Sequence, residues 1–204
     1  MFTSSLISII NQQIQDRCLC DTRFAAGMIG GIAYDATRRD DDKNSFVQYP
    51  VLTGLSGDGT DISINDTYPI TIYHRILSRS YVPKSNGSFG DRQNEVTEKT
   101  DVKMVVAGWT NRLSLSQEDL EALITSNFPD SIAPSLYAPY KLMRMAAILQ
   151  SSTLSREQVF KEEYKGIPYD LKPEQILFSI RYQIETDYKK GCFTLLDCQP
   201  VGIT

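Results

Sequence analysis

One histidine and four cysteines in 204 residues leave little material for the chemistries that depend on them. A zinc finger or ribbon needs paired C-x-x-C-type knuckles or histidines at helical spacing. Here Cys18 and Cys20, then Cys192 and Cys198, form one C-x-C and one C-x5-C pair far apart in the sequence. That spacing does not make a finger, and the expectation is four reduced thiols that act as small hydrophobes in a reducing compartment. A Ser-His-Asp or Cys-His arrangement would rest entirely on His74, and no G-x-S-x-G elbow supplies a nucleophile to match. His74 shares a strand face with Ile70, Ile72 and Ile76, so packing is its expected role. No catalytic residue, metal ligand or cofactor site is therefore assigned.

Long hydrophobic runs are missing too. No segment approaches eighteen uncharged apolar residues, and the first residues lack the basic flank and small-residue cleavage site of a secretory signal. The expectation is a soluble chain that makes no membrane contact and stays where it is made. Positive charge is not in excess: 21 Lys+Arg stand against 25 Asp+Glu, a net charge of −4, so a general basic footprint for nucleic acid is excluded. Apolar residues at 41% and charged residues at 23% describe a globular chain. Its length fits one domain, 1–204, large enough to bury roughly 70% of the unfolded chain's surface.

What is present is a set of patterned segments. Residues 4–17 place Leu6, Ile9, Ile10 and Ile14 at helical spacing behind Ser4 and Ser5, predicting an amphipathic helix. Residues 18–66 read as a long excursion with one edge strand near Phe46–Leu52, a turn at Gly30-Gly31 and the charge run Arg38-Arg39-Asp40-Asp41-Asp42-Lys43. The glycines and aspartates of Gly54–Asp61 fit neither a calcium loop nor a phosphate cradle, and turn chemistry accounts for them.

Residues 70–109 are the most informative. Ile70–Val82 and Val96–Trp109 are rich in β-branched and aromatic residues and alternate over much of their length. They read as two paired strands joined by the polar loop Pro83–Glu95, much longer than an ordinary hairpin turn. At about 3.3 Å per residue each arm would reach roughly 40 Å. Polar residues on both faces near the tip (Ser78, Arg79 and Ser80; Thr97, Glu98, Lys99 and Thr100) suggest that the distal half projects. Such an arm is a mobile flap or a contact for a neighbouring subunit, and long functional loops favour the contact.

Ser116 with Asp119 forms a capping box, and Leu115 with Leu120 a hydrophobic staple, predicting a helix over 116–127 stopped by Pro129. Ser131–Pro139 reads as a connector and 141–151 as a strand. Ser155 with Gln158 offers a second capping box over Ser155–Tyr164. Residues 176–186 alternate as a half-buried strand. The resulting class is α+β, a mostly antiparallel sheet with a long projecting β-hairpin and helices packed on one face.

This order resembles the tail-terminator and head-to-tail connector (neck) proteins of tailed bacteriophages: an N-terminal helix, the long hairpin Ile70–Trp109, the helix Ser116–Asn127 directly after it, and a closing strand. The segment Val159-Phe160-Lys161-Glu162-Glu163-Tyr164, leading into Phe178-Ser179-Ile180-Arg181-Tyr182, also looks like virion structural proteins of phages that infect Bacteroidetes. The resemblance implies a non-enzymatic ring subunit, six- or twelve-fold, assembled in the host cytoplasm and resident in the virion neck or tail. Its partners would be copies of itself and adjacent neck, portal or tail-tube proteins, with DNA passing only transiently through the channel. It also implies that the hairpin tip makes the contacts, through Arg79, Tyr81, Lys84, Phe89, Arg92, Glu95 and Lys99, with Phe89 and Arg92 as anchors. The excursion 18–66 and the region Ser131–Lys172 depart from a compact terminator. Two alternatives stay open. One is a small-ligand binder or hydrolase using Asp58, Asp61, Asp91 or Glu95; the other is an adaptor or ring subunit of a secretion-type apparatus.

Overall fold

The fold is drawn from a computed structural model. It describes residues 2–17, 19, 21–40, 45–53, 59–61, 68–84, 95–140, 142–150, 154–164 and 171–189. In chain order the elements are α1 (Phe2–Arg17), β1 (Met28–Asp40), β2 (Ser45–Thr53), β3 (Gly59–Asp61), β4 (Ile70–Pro83), β5 (Glu95–Trp109), α2 (Thr110–Leu113), α3 (Gln117–Ser126), α4 (Pro134–Tyr137), β6 (Arg144–Gln150), α5 (Arg156–Glu163) and β7 (Gln175–Lys189). Single turns of 3-10 helix lie at Thr22–Phe24 and Ala138–Tyr140.

The strands form one seven-stranded sheet in the order β3-β2-β1-β4-β5-β7-β6. All pairs are antiparallel except β1 with β4, which run parallel. β5 is the centre, with β4 along one side and β7 along the other. Its period-2 alternation sends Val102, Met104 and Val106 to one face and Val105 and Ala107 to the other.

The first face carries the main core. Leu6, Ile7, Ile10 and Ile14 of α1 and Leu120 and Ile124 of α3 pack over Ile70, Ile72, Met104, Phe178 and Ile180. The buried stripe of α1 includes Ile7, while Ile9 sits at its margin. Phe128, Ile132, Tyr137 and Leu142 complete this layer, so the connector after α3 is part of the core. Both sides of the capping box that starts α3 are formed: Ser116 Oγ accepts from the Asp119 amide at 3.1 Å, and Asp119 Oδ2 accepts from the Ser116 amide at 3.3 Å.

Three sequence expectations change. The helices do not all lie on one face, because α5 covers the other: its Val159, with Tyr164 just beyond it, packs on Tyr73, Val105, Ala107 and Leu177. β7 is consequently buried on both faces from Gln175 to Ile180, which is why its inner half is apolar at nearly every position. Residues 18–66 are not a loose excursion with one strand, since β1, β2 and β3 lie there. β1 runs beside β4 only as far as Ile32↔His74, with a register shift at Gly30-Gly31, then pairs with β2 from Ala33↔Leu52 to Asp40↔Ser45.

Finally, β4 and β5 do pair from Ile70↔Gly108 to Pro83↔Val96, but they do not project as a two-stranded arm. β7 accompanies β5 to Glu95↔Lys189, and β6 flanks β7 over Arg144↔Asp187 to Gln150↔Arg181. The polar residues of the distal half are cross-strand partners inside a four-stranded sheet. Among the described residues the two-stranded arm is β1–β2. Replacing the α3 cap, Ser116→Ala, is expected to cost about 1 kcal/mol in urea unfolding, because the Asp119 amide loses its acceptor and the Asp119 carboxylate loses the Ser116 hydroxyl donor.

Candidate functional site

The distal end of β4 stands out on exposure. From Leu77 to Pro83 every residue is exposed, and Leu77, Tyr81 and Val82 are 46%, 57% and 47% accessible. β5 occupies one side of this stretch. Among the described residues no strand lies along its other side beyond His74. The opposite border of the sheet differs: β6 is bridged on its outer side by Ser131 at Ala146. Arg79, Pro83 and the irregularity at Leu77 are the usual guards of an edge, yet three large apolar side chains stay exposed on it and no strand covers it among the described residues. The register shift between Ile76 and Ser78 falls at Leu77, the first residue of the exposed run, and the ladder with β5 is regular from Ser78 to Pro83.

Beside this edge, one face of the distal sheet is organised in polar rungs across the strands. Lys84 Nζ donates to Asp187 Oδ2 at 2.8 Å, and Thr97 Oγ1 donates to Asp187 Oδ1 at 2.6 Å. Lys99 pairs with Glu185 at 2.7 Å. Ser78 Oγ and Gln183 Nε2 donate to the two oxygens of Asp101, at 2.5 and 2.7 Å. Those two donors hold the Asp101 carboxyl below its usual range. Burial pushes Asp187 upward, but the Lys84 and Thr97 hydrogen bonds outweigh it and leave the group lowered.

The residues expected at the contact therefore separate. Arg79 and Tyr81 lie on the exposed part of β4, while Lys84 and Lys99 are engaged in ion pairs with β7. Glu95 opens β5 opposite Lys189. Phe89 and Arg92 lie outside the described residues. Of the four carboxylates weighed for hydrolysis or ligand binding, Asp58 and Asp91 also lie outside them. Asp61 is in β3 opposite Val51, and β2, β1 and β4 separate it from Glu95. All four cysteines fall outside the described residues. Among those described, no group of three or more His, Cys, Asp or Glu is placed to hold a metal ion, and no helix is long and apolar enough to cross a membrane.

Two buried polar clusters were not visible in the sequence. Under α5, Glu163 pairs with both Arg75 and Lys103. Lys103 also meets Glu162 at 3.0 Å, and Arg75 meets Asp35 of β1 at 2.8 Å. Tyr73 Oη donates to Glu163 at 3.3 Å; burial, then the neighbouring Tyr164 and Glu163, raise its pKa. Arg75 and Lys103 face each other across β4 and β5, so they repel until Glu163 sits between them. The signal available in sequence was only that two cations occupy inward positions of strands.

On the other face His74 is fully buried. Asn11 Nδ2 donates to the Gly30 carbonyl at 2.5 Å, leaving Asn11 Oδ1 to accept from His74 Nε2 at 2.6 Å. The ring is thereby the Nε2–H tautomer, and its Nδ1 accepts from Tyr182 Oη at 3.0 Å. One neutral imidazole thus ties α1, β1, β4 and β7 together. Burial depresses its pKa to about 3. Ser179 Oγ, buried on the α5 face, has no hydrogen-bond partner among the described residues.

In comparisons with known proteins, no family model and no curated protein matches the chain.

Removing the shared anion, Glu163→Gln, leaves Arg75 and Lys103 buried against a neutral group and is expected to cost about 3 kcal/mol. Glu162→Gln, on the exposed side, should cost under about 1 kcal/mol. Urea unfolding of both variants checks the contrast. For His74, the unfolded imidazole takes a proton below 6.5 and the folded one only near 3. Stability linked to it is therefore intact above pH 6.5 and falls by about 1.4 kcal/mol per pH unit below it. Because the sequence has one histidine, its ring resonances can be followed directly by NMR. They should remain those of a neutral Nε2–H ring down to about pH 5, and a midpoint near 6.5 would mean that the ring reaches water.

Proposed function

We propose that the chain is a non-enzymatic structural subunit that assembles with copies of itself into a ring, of the kind that forms the neck, head-to-tail connector or tail terminator of a tailed phage virion. The observation that carries this reading is the open outer edge of β4, exposed from Leu77 to Pro83 with Leu77, Tyr81 and Val82 uncovered. An open edge with exposed apolar side chains pairs with another strand when one is offered. Pairing that is not two-fold repeats head to tail, and it closes into a ring when the rotation allows. Adjoining copies and neighbouring neck, portal or tail-tube proteins are its partners in this reading. The net charge of −4 suits a channel wall past which DNA slides, since few Lys or Arg contacts would displace counterions and hold the phosphates. The secretion-type ring subunit shares this physics of assembly, and the virion context rests on the resemblance of element order alone.

The test is assembly of the purified chain. Sedimentation and negative-stain imaging across a concentration series should give annular particles. Replacing two exposed apolar side chains, Tyr81→Lys with Val82→Lys, should raise the half-assembly concentration at least about tenfold, the equivalent of one lost buried apolar side chain. The monomer's urea midpoint should move by no more than about 0.5 kcal/mol equivalent, because both residues are already solvated. A chain that is monomeric at every concentration, or one whose assembly ignores the double substitution, counts against the reading.

A further inference from the structure

Resting on the self-assembly reading, we infer that the open edge of β4 is occupied by the outer edge of β2 in a second copy, with Ser45–Pro50 lying along Leu77–Pro83. Two of the strand edges unpaired among the described residues are similar in length and nearly free of charge, whereas the other open side of the arm, Ala33–Asp40 of β1, carries Asp35, Arg38, Arg39 and Asp40. β3 covers β2 only at Val51, Leu52 and Thr53, which leaves the outer side of Ser45–Pro50 without a strand. β1 covers β4 only as far as His74, which leaves Leu77–Pro83. At roughly 3.3 Å per residue each stretch is about 20 Å long. A proline bounds each of them, Pro50 and Pro83, where the ladder lacks an N–H donor and a shared register stops.

Stability points the same way. Beyond β3 the β1–β2 arm is a two-stranded ribbon, an arrangement only marginally stable in water. The β5, β7 and β4 strands that form the rest of the sheet have no such need of an added neighbour. A third strand from another copy would give the arm the neighbour it lacks and cover Leu77, Tyr81 and Val82 in the same step. Charge is compatible with the pairing: Ser45–Pro50 carries no charged residue and Leu77–Pro83 carries only Arg79, so no like charges meet. Pairing β4 with β4 across a two-fold axis sets the two Arg79 side chains diagonal to each other, leaves every β2 edge open and stops at a dimer. Pairing β2 on β4 is head to tail, so every copy both gives and receives an edge.

The experiment places a photoreactive aromatic side chain at the edge, Tyr81→p-benzoylphenylalanine, in the full chain. Equal amounts of nitrogen-15-labelled and unlabelled protein are assembled and irradiated, and cross-linked peptides are identified by mass spectrometry. Mixed-label cross-links to the peptide holding Ser45–Pro50 are the expected result. Particles that form but cross-link β4 to β4, or β4 to any other segment, overturn this donor assignment while leaving self-assembly standing. Absence of particles overturns self-assembly and this inference with it. A second variant replaces residues 38–47 by Asn-Gly, joining Thr37 to Gln48 through a tight turn. It should raise the half-assembly concentration at least about tenfold with the monomer's circular dichroism and urea midpoint unchanged. Unimpaired assembly of that variant overturns the assignment.

Discussion

The ladder between β5 and β7 is the constraint on which the rest of this molecule depends. It runs without a register shift from Trp109↔Gln175 to Glu95↔Lys189, joining two strands separated in sequence by α2, α3, α4, β6 and α5. Because the ladder is continuous, the alternation of both strands stays in phase, and two faces of unlike character are held back to back. One face is apolar and receives α1 and α3. The other becomes ionic where Lys103 and Arg75 emerge, and then polar in rungs toward the distal end. Had β7 ended at residue 186, the Asp187 rung that joins Lys84 to Thr97 would not exist.

The ionic face explains how a helix with a weak apolar surface is retained. Val159 is the one buried apolar residue within α5, and Tyr164 follows immediately. Burial of that little area stabilises by only a few kcal/mol. Glu163 adds a shared counterion for two cations that could not otherwise be buried side by side. Specificity follows from the same geometry, since only a helix presenting a carboxylate at that place neutralises the pair. On the opposite face the His74 network has an analogous role with neutral groups: it fixes which atom of Asn11 meets β1 and which meets β4.

Local rules read this chain well, and long-range pairing was invisible to them. The capping boxes at Ser116 and Ser155, the alternation of Ile176–Ile184 and the apolar stripe of α1 are signals carried within a dozen residues, and the elements stand there. The β1–β2 arm was hidden because Gly30-Gly31 and the run Arg38–Lys43 have the composition of turns, and because a parallel pairing of β1 with β4 leaves no local trace. Polar residues on both faces of β4 and β5 were read as solvated, whereas Thr97, Lys99 and Asp101 meet partners on β7 that nothing in their own neighbourhood announces. Of the residues expected at the contact, Arg79 and Tyr81 lie on the exposed part of β4, where no further described strand arrives. Leu77 and Val82 share that exposure, which single apolar residues in a strand do not announce.

Among the described elements, strand β7 is also the last to leave the ribosome, although its place is beside the central strand. Until it emerges, the nascent chain can close the β4–β5 hairpin, but β5 then presents a full-length bare edge carrying Val102, Met104, Val105 and Val106. A chain built in this order is most prone to wrong pairing during synthesis, before β7 is available. Early exposure at β5 and later exposure at β4 are therefore different hazards: the arrival of β7 removes the first, and the second persists in the folded chain.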